Sequence, residues 1–79
     1  MTEEKFNEII GKNVRKYRLL YNANIGDLTQ RELAEKVGIS VSMIGALESR
    51  KITQGIGIYN LYKISEALNV PLENFFRQE

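Results

Sequence analysis

The chain has 79 residues and a formal net charge of +1, and it contains neither cysteine nor histidine. Disulfides, the usual soft metal sites and catalysis by cysteine or histidine are therefore excluded. The length of 79 residues predicts one domain spanning residues 1–79, and the hydrophobic share of 43% is enough for a packed core at about 6–76. No apolar run is long enough for a membrane span, and three glutamates before Gly11 are unlike a signal peptide. We therefore expect a cytoplasmic protein with no membrane partner.

Residues from Phe6 to about Tyr21 are predicted to form the first helix. Apolar side chains recur there at three- and four-residue spacing and give one stripe for the core. The stripe consists of Phe6, Ile10, Val14, Tyr17 and Tyr21. Residues 21–28, YNANIGDL, then predict a long, turn-rich loop, because asparagine, glycine and aspartate favour turns. Ile25 and Leu28 are expected to turn inward from this loop.

Residues Thr29 to Glu48, TQRELAEKVGISVSMIGALE, contain two short helical patterns separated by a glycine. Thr29 followed by Glu32 predicts a capping box, in which each side chain satisfies a backbone N–H at the helix start. Gly38 supplies the left-handed residue that ends this helix, and Ser40 caps the next one. The pair therefore predicts a helix-turn-helix, whose second helix can lie in a DNA major groove. The alternative is a helical hairpin that only packs a core.

Residues Ile58 to Leu68 are predicted to form the fourth helix. Its core face is predicted to consist of Ile58, Leu61, Ile64, Ala67 and Leu68. Asn69 is expected to end this helix in the left-handed region, and Pro71 to begin a short fifth helix. That last segment carries several large apolar side chains, which either close the core or form part of a dimer surface. The candidates for the dimer contact are Leu72, Phe75 and Phe76, with Tyr62 on the fourth helix.

The block from Thr29 to Glu48 resembles the Cro/phage-repressor (XRE-type) family of helix-turn-helix regulators. The resemblance lies in the small Ala34 where two helices cross, in Gly38 at the turn, and in the apolar Ile39 directly after it. Residues 10–18, IGKNVRKYR, match the first-helix pattern of the family, and the similarity continues to about Phe76. The resemblance implies an all-α, five-helix lambda-repressor-like DNA-binding domain with a central helix-turn-helix.

The resemblance also implies roles for residues near DNA. The recognition helix, about residues 41–49, is expected to make base or groove contacts through Ser40, Val41, Ser42, Gly45 and Ala46. Phosphate contacts are expected from Gln30, Arg50, Lys51 and Thr53. Since none of the base-reading positions is arginine, glutamine or asparagine, bidentate contacts to guanine or adenine are unavailable there. Direct readout is then expected from contacts of Val41 and Ala46 with thymine methyl groups and from a bond of Ser42 to a base edge or a phosphate.

A structural ion pair is implied between Arg18 in the first helix and Glu48 at the end of the recognition helix. An arginine fork suits a bidentate, partly buried carboxylate. A phosphate contact by Arg18 is the alternative. The surrounding charge is segregated, with no acid between Glu8 and Asp27, so a nearly neutral chain can still present a positive face. The basic cluster in that interval consists of Lys12, Arg15, Lys16 and Arg18.

These features predict a sequence-specific transcriptional regulator that acts on double-stranded DNA. We expect a repressor that binds a palindromic operator as a homodimer, with no metal and no cofactor. The alternative is an antitoxin-type or other protein-partner binding module that also binds its own operator. An enzyme is not expected, because the carboxylate pairs lie at the chain terminus and on a helix surface, where solvation explains them.

Overall fold

The computed structural model describes residues 1–49 and 55–78, which form four α-helices and a C-terminal 3-10 helix. The helices are α1 (Glu3–Asn24), α2 (Gln30–Val37), α3 (Val41–Glu48) and α4 (Ile58–Leu68), and the 3-10 helix is Leu72–Phe76. The described residues contain no strand, so the all-α prediction is confirmed, with the 3-10 helix in the place of the fifth helix. No helix in these two ranges is long and apolar enough to cross a membrane.

Helix α1 extends beyond the predicted helix at both ends. At its start, the Thr2 hydroxyl accepts a hydrogen bond from the Lys5 backbone N–H at 3.0 Å, which satisfies a free donor of the first turn. At its end, the Asn24 side chain donates to the Leu20 carbonyl at 2.9 Å. Asn22 and Asn24, which were predicted to lie in a turn, therefore belong to the helix, and the side chain of Asn24 stabilises its end. The prediction of a loop over residues 21–28 is wrong for residues 21–24.

In the remaining connection, residues 25–29, only one of the two side chains predicted to turn inward reaches the core. Leu28 is buried as predicted, whereas Ile25 is 64% exposed, so the prediction that it turns inward is wrong. The Asn22 side chain accepts a hydrogen bond from the Leu28 backbone N–H. This bond fixes the end of the connection against α1, and Leu28 enters the core there.

The core is formed by apolar stripes that α1, α2, α3 and α4 direct towards one another, together with the C-terminal segment. Its fully buried members are Ile10, Val14, Leu28, Leu33, Ala34, Val37, Ile44, Leu47, Leu61, Ile64, Leu68 and Phe75. Ile58 was predicted to lie in this core but is 63% exposed. Ile56 packs against the core. The next residue, Gly57, is the extended N-cap, and the helix begins only after it.

The C-terminal segment closes the core against α1. Phe75 is completely buried, and its ring meets the Tyr17 ring edge to face, with 5.6 Å between centroids. The buried side chain of Asn13 donates hydrogen bonds to the backbone carbonyls of Phe75 at 2.8 Å and Arg77 at 3.0 Å. Asn69 adopts φ 60°, ψ 42° at the end of α4, which confirms the predicted left-handed cap.

We predict that Asn13→Ala destabilises the protein by about 1–3 kcal/mol, because two carbonyls beside the core lose their donor. For a chain of this size, the melting temperature should fall by about 4–8 °C per kcal/mol. The matched control is Asn24→Ala, which removes an exposed asparagine bonded only within its own helix. Thermal unfolding followed by circular dichroism measures both. Equal melting temperatures for the two variants would contradict the proposed closure of the C-terminal segment by Asn13.

Candidate nucleic-acid interface

The start of α2 is fixed by the capping box that the sequence predicts. The Thr29 hydroxyl accepts a hydrogen bond from the Glu32 backbone N–H at 3.1 Å, and the Glu32 carboxylate accepts one from the Thr29 backbone N–H at 3.0 Å. The bond from the Thr29 backbone lowers the pKa of the exposed Glu32 carboxyl. Because these bonds are reciprocal, the first turn of α2 has a defined direction.

The turn between α2 and α3 has the predicted glycine geometry. Gly38 adopts φ 81°, ψ 31°, a left-handed conformation that favours glycine. The backbone N–H groups of Gly38 and Ile39 both donate to the Ala34 carbonyl, at 2.8 Å and 3.1 Å. Ile39 packs against the core, and the Ser40 hydroxyl caps α3 by accepting from the Met43 N–H at 3.1 Å. The predicted helix-turn-helix is therefore confirmed.

Helix α3 has one buried side and one accessible side. Ile44, Leu47 and Glu48 are buried. By the helical period, Ser42 lies near the middle of the opposite side, with Val41 and Met43 on its two flanks. The exposed fractions of Val41 and Met43 are 38% and 36%. Gly45 and Ala46 lie one turn further along, are half-buried, and leave the helix backbone close to the protein surface.

Met43 was missed as a candidate contact by the sequence analysis. The helical period that separates Met43 from the buried Ile44 and Leu47 also places Met43 beside Ser42, and this spacing is the signal that could have found it. The accessible side of α3 is thus more apolar than the predicted set of Ser40, Val41, Ser42, Gly45 and Ala46 implied.

Arg18 and Glu48 meet in the ion pair that the resemblance implied. Arg18 Nε lies 2.7 Å from Glu48 Oε2 and a second guanidinium nitrogen lies 2.9 Å from Oε1, so the contact is bidentate. The two side chains are only 10% and 2% exposed. The hydrogen bond with Glu48 raises the pKa of Arg18 and outweighs the opposite effect of burial. Arg18 also donates a hydrogen bond to the Leu28 carbonyl at 3.1 Å, so its guanidinium group is directed into the protein.

Gln30 joins this ion pair from the first turn of α2. Its side-chain nitrogen donates to Glu48 Oε1 at 3.2 Å, so one carboxylate connects α1, α2 and α3. A Cβ atom added at Gly45 would lie 3.5 Å from Gln30 Oε1, which shows how closely the glycine approaches the start of α2. No sequence pattern predicts this contact, since the resemblance implies only a phosphate contact for Gln30.

The other predicted phosphate contacts, Arg50, Lys51 and Thr53, lie outside the residues that the structure describes. Nearby, α1 contributes basic side chains that the sequence analysis had grouped by charge alone. Lys12, Arg15 and Lys16 line one surface groove together with Glu48. Their spacing of three and four residues is the sequence signal for this common face. The positive charge of α1 therefore lies next to the end of the recognition helix.

The predicted dimer candidates have different environments. Phe75 is wrong as a dimer contact, because its ring is completely buried in the core of its own chain. Phe76 is 38% exposed and stacks on Phe6, with ring centroids 5.8 Å apart. Tyr62 and the half-buried Leu72 line a shallow groove where α4 meets the 3-10 helix. The Tyr62 hydroxyl donates to Glu66 at 3.1 Å, and this hydrogen bond raises the pKa of Tyr62.

The described residues contain no group of three or more side chains suited to holding a metal ion. What they do contain is a capped helix pair with a glycine turn and an accessible second helix, which defines a helix-turn-helix protein. The chain belongs to the Cro/C1-type (XRE) helix-turn-helix family, whose model, described as helix-turn-helix, matches residues 26–75. This is a family of DNA-binding transcription regulators. The comparison with curated proteins found no match.

We predict that Glu48→Gln lowers the stability by about 3–5 kcal/mol, because it leaves the Arg18 guanidinium buried without its counter-charge. The matched control is Glu35→Gln on the exposed face of α2, which should change the stability by less than about 0.5 kcal/mol. Urea unfolding measures both free energies of unfolding. If Glu48→Gln were as stable as the control, the ion pair would contribute no more than a surface pair.

Proposed function

We propose that the protein is a transcriptional repressor that binds a palindromic operator as a homodimer, with α3 in the major groove. The observation that carries this proposal is the accessible side of α3, which is held in place from behind by Arg18, Gln30 and Glu48. A reading helix must have a fixed orientation, since each base contact requires a defined distance from the groove. A dimer bound to the operator would block other proteins from the same DNA.

The base contacts are proposed to come from the first two turns of α3. Ser42 can bond to a base edge or a phosphate, and Val41 and Ala46 can contact thymine methyl groups. Gly45 and Ala46 allow the helix backbone to approach the groove closely, because neither has a long side chain. The Ser40 oxygen caps α3 by accepting a hydrogen bond, so its O–H group can still donate to a base edge or a phosphate.

The phosphate contacts are proposed to flank this helix. Gln30 stands at the start of α2, where backbone N–H groups favour an anion, and Arg50, Lys51 and Thr53 follow α3 along the chain. The basic groove of Lys12, Arg15 and Lys16 beside Glu48 supports a positive surface on that side of the protein. Such contacts position the protein and carry no sequence information.

The proposed dimer surface is the groove between α4 and the 3-10 helix. Tyr62, which is 46% exposed, and the half-buried Leu72 both line this groove. The stacked pair of Phe6 and Phe76 adds a second exposed apolar surface near the C-terminus. A dimer formed through these surfaces would set the spacing of the two reading helices on DNA.

The first test of this function is a titration against DNA sites selected from a random library. The selected site should contain two half-sites about one helical turn apart. Inserting about five base pairs between them should abolish the tight complex, because half a turn places one reading helix on the wrong side of the duplex. Inserting about ten base pairs is the control and should restore part of the affinity. Selection of a single, unpaired site would contradict the homodimer.

The second test concerns the dimer surface. We predict that Tyr62→Ala weakens binding to the two-half-site DNA by at least tenfold, while binding to one half-site is unchanged. The matched control is Tyr59→Ala, which removes a more exposed tyrosine from the same helix, 69% exposed and outside the groove. Sedimentation measures the mass of both variants in solution. Equal effects of the two substitutions would remove this groove from the dimer model.

A further inference from the structure

We infer that the preferred ligand of this protein is DNA with C5-methylated pyrimidines, so that 5-methylcytosine can replace thymine at the bases contacted by α3. This inference rests on the proposed function, since it requires α3 to lie in the major groove. It goes beyond that function because it makes cytosine methylation of the operator a signal that the protein can read.

The first observation is the apolar character of the accessible side of α3. Val41 and Met43, 38% and 36% exposed, flank the short side chains of Ser42 and Ala46. When the helix enters the groove, the short central side chains allow a close approach and the flanking ones meet the edges of the bases. An aliphatic side chain there can bury a methyl group but cannot distinguish a donor from an acceptor.

The second observation is that polar side chains next to this surface already have partners within the protein. The Ser40 hydroxyl caps α3, and the Ser49 hydroxyl donates to the Ala46 carbonyl at 3.1 Å. The Gln30 amide, which is the group best suited to an adenine edge, donates to Glu48. Among the described residues of this surface, Ser42 is the side chain with a hydroxyl that makes none of these bonds.

The chemistry of the bases makes the consequence specific. In the major groove, a thymine presents its O4 acceptor and its C5 methyl group, and a cytosine presents an N4 donor instead of O4. 5-Methylcytosine carries its methyl group on the same ring carbon as thymine. A surface that buries the methyl group and ignores the O4 or N4 position therefore accepts thymine and 5-methylcytosine and disfavours uracil and unmodified cytosine.

The experiment uses four versions of one selected operator. Thymines that α3 contacts are first located by replacing each thymine with uracil in turn. Each such position is then made T·A, U·A, 5-methylcytosine·G or C·G, symmetrically in both half-sites, and the four dissociation constants are measured with the full chain. Burial of one methyl group, at about 0.8 kcal/mol, corresponds to about a fourfold gain per contact and about 16-fold for the symmetric pair.

The expected result is that the methyl group gives the same gain in both backgrounds. The protein should then bind the T·A operator more tightly than the U·A operator. The same ratio of affinities should separate the 5-methylcytosine·G operator from the C·G operator. If no thymine-to-uracil change weakens binding, or if methylation of C·G has no effect at the positions located in this way, polar groups read the bases and the inference is overturned. If the library yields no preferred site at all, the proposed function itself has failed, which is a different outcome.

Protein variants assign the effect to side chains. Val41→Ala and Met43→Ala should each reduce the ratio of affinities for methylated and unmethylated operators towards one. Ser42→Ala should leave this ratio unchanged, as should Leu19→Ala, which truncates a side chain of similar exposure, 40%, on α1. The ratio is measured within one protein sample, so a loss of stability in a variant does not change it. An unchanged ratio in both the Val41 and Met43 variants would overturn the assignment to α3.

Discussion

The position of the recognition helix depends on one buried carboxylate. Glu48 receives a bidentate contact from Arg18 and a further hydrogen bond from Gln30, so α1, α2 and α3 are joined at a single point. Such a pair is directional, whereas the apolar contacts of Ile44 and Leu47 would tolerate small rotations of α3. Burying two charges has a high desolvation cost that the pair must offset. Its contribution is therefore best understood as fixing the angle at which α3 is presented.

Much of the fold followed from local chemistry that is visible in the sequence. The capping box of Thr29, the left-handed turn at Gly38 and the cap at Ser40 depend on residues within three or four positions of one another. Their hydrogen bonds were therefore predictable without knowledge of the tertiary structure. The contact between Arg18 and Glu48 is 30 residues apart in sequence, and only the resemblance to a family implied it.

The incorrect predictions depended either on an exact helix boundary or on contacts between distant residues. Asn24 favours a turn in isolation but here bonds to the Leu20 carbonyl and extends α1. Phe75 was a candidate for a dimer contact or for the core, and the bond from Asn13, 62 positions earlier, holds its backbone against α1 and its ring in the core. Ile58 fitted the helical period, but the half-buried Ile56 packs against the core before the helix begins. In each case, tertiary contacts or the exact helix boundary decided the outcome, and neither can be read from spacing alone.

The same hydrogen bonds that build the helix-turn-helix also limit how it can read DNA. Ser40 and Gln30 lie where other side chains would meet base edges, yet one caps α3 and the other binds Glu48. Moving either side chain away from its present partner to reach a base would remove a bond that orients α3. The recognition through methyl groups that we infer would avoid this conflict, because Val41 and Met43 would contact DNA without giving up any hydrogen bond of the fold. A stable presentation of α3 and an apolar reading surface are therefore consequences of the same arrangement.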